Sequence, residues 1–264
     1  MECPRDPRLQ SLEWRDLTRV NRGQVASELL LSLPWLAGSL YLASQRLYDP
    51  ALALSFTFFL AGLRQVHGAC HYSVGVSRTA SEWVLFVLSV IMLGSMHAVQ
   101  VNHLRHHKYC LEEGDVEAMS ARLSGWRALL SGPAFPLRLH RAALRYGSRS
   151  QRRWIRVELG ANAIWIAAVF GILNVPALRY HVMVMAIGQC LTGFFAVWTV
   201  HHGCEPSPHR FARTMRGAWA NFLTMHMFFH VEHHLFPRVP TCHLPKLAER
   251  LDRIAPEYRE MRVF

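Results

Sequence analysis

Sixteen histidines are unevenly spread along 264 residues, and eight of them fall in three short runs. The runs are HGACH at 67–71, HLRHH at 103–107 and HVEHH at 230–234. Side chains three or four residues apart share one face of a helix. His67 can therefore project together with His71, His103 with His106 and His107, and His230 with His233 and His234. Imidazole suits iron and zinc better than magnesium or calcium. A single zinc ion takes only three or four protein ligands, so eight or nine imidazoles fit two ions better than one. Metal-bound histidines often donate their second N–H to a carboxylate, and Asp115, Glu205 and Glu232 are the candidates for that role. Glu232 lies between ligand positions on its expected helix and can equally face elsewhere.

Such clusters need elements that bring them to one place. Half of the residues are hydrophobic, and the formal net charge is +11. The mean hydropathy is still slightly positive. This combination fits a membrane protein with basic segments between apolar blocks. Basic charge alone could suggest nucleic acid, but here it is interleaved with apolar blocks, and no zinc-finger, homeodomain or RNA-binding signature is present. The six cysteines, Cys3, Cys70, Cys110, Cys190, Cys204 and Cys242, form no CxxC pair. That argues against a disulfide scaffold and against a thiolate metal site. The first 28 residues carry five arginines and five acids without an early apolar core, so no cleavable signal peptide is expected.

Four apolar blocks are long enough to be read as membrane spans. They run from Leu29 to Leu47, Ala51 to Val66, Val157 to Leu173 and Tyr180 to Val200. A fifth stretch, Trp83 to Val101, lies between His71 and His103. If both flanking histidines reach one metal centre, this stretch must begin and end on the same face, as a re-entrant or interfacial helical pair broken near Gly94. Residues 102–156 hold eleven Lys or Arg against four acids, which makes them cytoplasmic by the positive-inside rule. Arg149, Arg152, Arg153 and Arg156 there could touch anionic headgroups. The expected fold is thus all-α and polytopic: four transmembrane helices, a re-entrant or interfacial segment, and a cytoplasmic histidine-rich cap. The expected divisions are a cytoplasmic N-terminal segment (1–28), a membrane domain with its metal centre (29–250) and a tail (251–264). This topology places all three runs, and His201, on one face.

The three histidine runs, with HVEHHLFPRVPTCHLPKL at 230–247, resemble the membrane fatty acid desaturase superfamily, which includes acyl-lipid desaturases and related hydroxylases and carotenoid ketolases. The resemblance covers roughly residues 30 to 250. It implies a diiron centre held by His67, His71, His103, His106, His107, His230, His233 and His234. It also implies a further ligand after the last membrane helix, which His201 fits, with His202 as the rival. Asn221 could hold a metal-associated water or cap a helix. His226 precedes the last run as in carotenoid ketolases, whereas the HLFP continuation is closer to acyl desaturases. His97 could line the site; His140, His181, His209 and His243 are expected at surfaces or headgroups. The implied activity is oxygen-dependent oxidation of a lipid-like substrate: desaturation of a fatty acyl or lipid chain, or else hydroxylation or ketolation of a lipid or carotenoid. Dioxygen would be the cosubstrate, and electrons would come from a separate ferredoxin or cytochrome.

Two other classes of function fit these residues less well. A metal transporter would place polar groups within its spans, but here the histidines cluster outside them. A purely structural metal site would be closed and saturated.

Overall fold

The computed structural model describes residues 6–263, so Cys3 lies outside the described part. The chain is helical throughout, and the only strand-like pairing among the described residues is an isolated bridge between Thr214 and Arg262. Helices α1 (Arg22–Leu30) and α2 (Leu33–Ser44) lead into the longer α3 (Tyr48–Cys70). A sharply bent pair follows, α4 (Arg78–Met92) and α5 (Met96–Tyr109). The polar segment contains α6 (Gly125–Leu130) and α7 (Ala134–Tyr146). Next come α8 (Arg149–Gly171) and α9 (Pro176–Thr192), and α9 continues through a π-helical turn (Gly193–Trp198) into the short α10 (Thr199–His201). The C-terminal part carries α11 (Ala218–Leu223), α12 (His230–Leu235) and α13 (Leu244–Ile254).

Local chemistry sets several of these boundaries. Asn21 starts α1 with a reciprocal cap: its side chain accepts from Gln24 N–H, and the Gln24 side chain accepts from Asn21 N–H, both at 2.9 Å. Ser148 and Gln151 repeat the device at the start of α8, and each such box satisfies two otherwise orphaned donors. At the junction of the bent pair, Leu93 terminates α4 in the left-handed region at φ 58°, where a side chain is strained. Gly94 packs closely on α9: a Cβ there would lie 2.8 Å from Gln189 Oε1, so a larger residue would have to push that side chain aside. Ser95 then opens α5 by accepting from Ala98 N–H.

Among the described residues, three helical stretches are long and apolar enough to cross a membrane: Arg22–Ser44, Arg149–Gly171 and Pro176–His201. The α4–α5 pair passes the same test only as a unit bent by 116°, so the expected break near Gly94 falls between Met92 and Met96. Two helix starts differ most from those expected. The first stretch begins at Arg22 rather than Leu29, because the Asn21 cap fixes its start. Helix α8 begins at Arg149 rather than Val157, so its first two turns are basic. The expected second span lies on α3, whose 23 residues suffice in length. It is not among the apolar stretches because Arg64, Gln65 and His67 occupy its last third. Arg64 is nevertheless buried there. Its guanidinium donates to both carboxylate oxygens of Glu28 at 2.5 and 2.6 Å and to the Met225 carbonyl at 2.7 Å.

Helix α3 is the central strut, packed on α2, α4, α5 and α9. Phe58, Phe59, Leu85, Met92 and Met185 form one buried cluster around it. The larger cluster lies under the polar segment and joins α5, α7, α12 and α13 to Leu9, Leu12 and Leu17 of the N-terminal segment. The two ends of the chain meet there: Arg250 on α13 donates to both carboxylate oxygens of Asp16 at 2.7 Å. Both clusters press against the elements that carry the histidines.

Candidate metal centre

Four elements deliver nine imidazoles to one region. Helix α3 supplies His67 in its last turn and His71 just past its end. Helix α5 supplies His103, His106 and His107, α10 supplies His201, and α12 supplies His230, His233 and His234. Their nitrogens sort into two groups, each converging within 4.8 Å: His67, His71, His103, His107 and His233 in one, and His106, His201, His230 and His234 in the other. Helices α5 and α12 contribute to both groups. His103 and His107 turn to the first and His106 to the second, while His233 turns to the first and His230 and His234 to the second.

The contacts inside each group are between Nε2 atoms. In the five-histidine group, His103 Nε2 lies 2.9 Å from His71 Nε2 and 3.2 Å from His107 Nε2, which lies 2.9 Å from His233 Nε2. In the four-histidine group, His201 Nε2 lies 3.0 Å from His106 Nε2 and 2.9 Å from His230 Nε2. His234 Nε2 lies 3.1 Å from His230 Nε2 and 3.3 Å from His106 Nε2.

The approach of His106 to His201 is not explained by a hydrogen bond between the two rings. A neutral imidazole has one N–H and one lone pair. His106 Nδ1 faces Asp115 Oδ2 at 2.7 Å, and His201 Nδ1 faces the Phe211 carbonyl at 2.9 Å. Both Nδ1 atoms must donate, which leaves both Nε2 atoms as lone pairs facing each other. His103 is fixed the same way, with Nδ1 against Glu117 Oε1 at 2.8 Å. Facing lone pairs repel unless a cation lies between them. Nitrogens bound around one ion at about 2.1 Å each stand about 3 Å apart, which matches the observed spacing. His67 Nε2 is buried with no partner of its own. The residues present therefore fit two imidazole-bound ions.

Burial is the first cause that holds His230, His233 and His234 well below the usual histidine range, and the neighbouring imidazoles add to it. These rings are neutral, as metal ligation requires. For Asp115, burial pushes the carboxyl up. The attraction of His106, its hydrogen bond, and backbone bonds from Leu111 and Ala118 outweigh burial and bring it down to about 2. Asp115 is thus an ionised acceptor.

The candidate carboxylate partners separate clearly. Asp115 orients His106. Glu232 does not orient a histidine; its carboxylate accepts from Thr214 Oγ1 and Arg216 Nε, both at 2.8 Å. Two residues after His230 on a helix is nearly the opposite face, so α12 turns Glu232 away from both groups. Glu205 is exposed and lies 3.6 Å from Arg210. Glu117, which orients His103, is absent from the candidates read from the sequence. Its only signal there is a second acid two residues after Asp115, downstream of the second run.

The remaining histidines stand apart from both groups. His202 stacks on Trp198, with ring centroids 4.2 Å apart, and its Nδ1 faces the Trp198 carbonyl. His97 is buried between two carboxylates and does not line the centre: its Nδ1 lies 2.6 Å from Glu158 and its Nε2 2.6 Å from Glu82. His226 follows Met225 in a turn where both have positive φ, and it joins neither group. Asn221 donates to the Gly217 carbonyl. A third cluster, Asp6, His209 and Glu257, already has a cation: Arg8 donates to both of its carboxylates.

An apolar cavity opens beside the centre. Leu63, Val66, Val99, Phe195, Met227 and Phe228 line it, and it reaches His67 and His103 of one group and His230 of the other. An apolar substrate in this space would lie against both groups.

Comparison with known proteins agrees with this geometry. A sequence model of the fatty acid desaturase family matches residues 47–264. The human protein named sphingolipid delta(4)-desaturase/C4-monooxygenase DES2 is 27% identical over 209 residues, covering 73% of this chain. The chain spans 61% of the length of that relative. A helical scaffold, three histidine runs folded into two converging groups, and a family match over most of its length make this chain a member of the fatty acid desaturase family.

Proposed function

We propose that the chain is an oxygen-dependent diiron oxidoreductase that introduces a double bond into a fatty acyl or lipid chain. The observation that carries this reading is the pair of imidazole groups with lone pairs facing inward, both touched by one apolar cavity. When bound, the two irons would supply dioxygen reduction and the oxidation of an unactivated C–H bond. His67, His71, His103, His107 and His233 would hold one ion, and His106, His201, His230 and His234 the other. Asp115, Glu117 and the Phe211 carbonyl hold the protons of three of these rings on Nδ1, which keeps Nε2 aimed inward. Leu63, Val66 and Phe228 exclude water and bring a hydrocarbon chain alongside His67 and His230.

Removing two hydrogens from neighbouring carbons provides half of the electrons that take dioxygen to water. The other half must come from outside, and a separate ferredoxin or cytochrome is the expected donor. In the proposed topology, Arg22–Ser44, α3, α8 and Pro176–His201 cross the membrane, and the α4–α5 pair re-enters on the side of the metal centre. The basic segment 102–156 supports a cytoplasmic position for that side. The second reading is oxygen insertion, giving a hydroxylated or ketolated lipid or carotenoid. The printed name of the human relative combines a desaturase and a monooxygenase, which keeps oxygen insertion as the alternative outcome at the same site.

The test is the mass-spectrometric profile of host lipids and pigments with the intact gene and with His233→Ala. A mass loss of about 2 in an acyl chain, absent in the variant, supports desaturation. An added oxygen supports the second reading. A profile that does not depend on His233, in a host supplying substrate and donor, contradicts both.

A further inference from the structure

A second groove, of about 380 Å³, lies on the far side of the turn that carries Asp115 and Glu117. Arg122, Arg138, Arg141 and Arg145 line it, together with Asp115, Val116 and Met119. Residues 115–119 are thus a wall between two spaces, with Glu117 on the apolar cavity and its neighbours on the groove. Arg138, Arg141 and Arg145 follow one another at helical spacing along α7. Arg122 joins them from the loop before α6, with its guanidinium anchored on the Leu111 and Glu112 carbonyls at 3.1 and 2.6 Å. Arginines elsewhere in the chain are matched by carboxylates: Arg64 by Glu28, Arg216 by Glu232, Arg250 by Asp16. None of the four groove arginines has an ion pair among the described residues. The Asp115 carboxylate is taken by His106 and by the Leu111 and Ala118 N–H groups, and Glu112 and Glu113 on the same loop are exposed.

The position of α7 points to the kind of anion that meets it. Gly132, just before α7, packs on the backbone of α9, where a Cβ would lie 2.0 Å from the Cys190 carbonyl oxygen. At its other end, α7 runs through Gly147 into the Ser148 cap of α8. It therefore lies across the same-side ends of two helices long and apolar enough to cross a membrane, at the level of lipid headgroups. Leu137 on α7 is 74% exposed, and Leu130 just before it is 72% exposed. Bare apolar side chains beside an arginine stripe are what an in-plane helix presents to a bilayer surface. The groove has the volume of a small-molecule site, and a guanidinium fork matches a phosphate group in both geometry and charge.

We infer that this groove binds the phosphate headgroup of an anionic membrane phospholipid, held by Arg122, Arg138, Arg141 and Arg145, at a site separate from the cavity beside the metal centre. The inference rests on the membrane crossing of α8 and α9 proposed above, and not on iron. It has a consequence for the centre. A bound headgroup bears on residues 115–119, and this one turn carries both carboxylates that orient His106 and His103. Occupancy therefore steadies the wall between groove and cavity.

The test titrates lipid onto the purified full chain in detergent, read by native mass spectrometry, with dioleoyl phosphatidylglycerol against dioleoyl phosphatidylcholine. Phosphatidylglycerol should bind about tenfold more tightly, the scale of one charge-assisted hydrogen bond. Arg141→Gln and Arg145→Gln should each reduce that preference, and the double variant should abolish it. Arg253→Gln removes the same charge from an exposed position on α13 and should retain the preference, which separates the groove from the +11 charge of the whole chain. In nanodiscs, the amides of residues 115–119 should exchange more slowly with phosphatidylglycerol than with phosphatidylcholine, and the double variant should lose that protection. No preference for phosphatidylglycerol, or an equal loss in Arg253→Gln, overturns the inference. Tight binding of pyrophosphate without the preference makes the ligand a free anion and also overturns it, as does Arg141-dependent binding of a [2Fe–2S] ferredoxin without the preference. Unchanged exchange at 115–119 overturns the link to the centre. Iron per chain is measured on the same preparations. Two irons without a lipid preference refute this inference and leave the diiron reading standing; a preference in protein that binds no iron refutes the diiron reading and supports the lipid site.

Discussion

Two regions of this molecule bury histidine, and they treat it in opposite ways. In the centre, rings face other rings, and Asp115, Glu117 and the Phe211 carbonyl take the Nδ1 proton from behind. Some 6–10 residues earlier on α5, His97 faces carboxylates on both sides. Glu158 and Glu82 each lie 2.6 Å from one of its nitrogens, and Trp154 stacks on the ring at 4.9 Å. A ring whose two nitrogens both donate has no lone pair left for a metal. Glu158 also accepts from Ser95 Oγ at 2.5 Å and from the His97 backbone N–H. That joins α8 to the bend between α4 and α5. The same side chain is therefore a ligand or a fastener according to what stands on its second nitrogen.

The strongest test of this contrast uses adjacent residues. His201→Ala should remove about one of two irons per chain and cut turnover by more than about a hundredfold, beyond what loss of an orienting partner costs. His202→Ala, which removes only the ring stacked on Trp198, should leave the iron count at the wild-type value. Elemental analysis of the purified variants decides it, and equal losses from both would break the contrast. A smaller effect is expected one bond further out. Asp115→Asn should weaken iron retention about 10- to 100-fold, measured by competition with a ferrous chelator, and should do so more than Glu205→Ala, whose carboxylate is at the surface. Last, His97→Ala should leave iron per folded chain unchanged. It breaks a buried ionic network, so it should lower stability by about 3–5 kcal/mol, seen as a fall in the thermal midpoint in detergent. Iron loss without a fall in midpoint would move His97 into the centre.

Much of this arrangement is legible in the residues. The three runs carry their helical spacing openly, and Gly94 marks the break in the bent pair. The polar end of α3 is also visible, since Arg64 precedes His67, but the Glu28 that neutralises it is 36 residues away and cannot be assigned without the fold. Spacing alone could not choose between His201 and His202. The phase of the chain leaving the π-turn chooses, because it turns one ring inward and stacks the next on Trp198. Glu117 escaped because no histidine spacing points to it; a 3-10 turn at Glu117–Met119 brings it under α5. Glu232 is the opposite case. It sits inside a run, yet two residues is half a helical turn, and Arg216 holds it on the far side.

Both groups draw on the same two short helices, with His103, His106 and His107 on α5 and His230, His233 and His234 on α12. Inserting one residue between Val101 and His103 would rotate all three α5 imidazoles by about 100° and disengage both groups at once. The same insertion at Asn174, in the exposed connector between α8 and α9, would leave the register of both helices intact. The two halves of the centre thus share one reading frame.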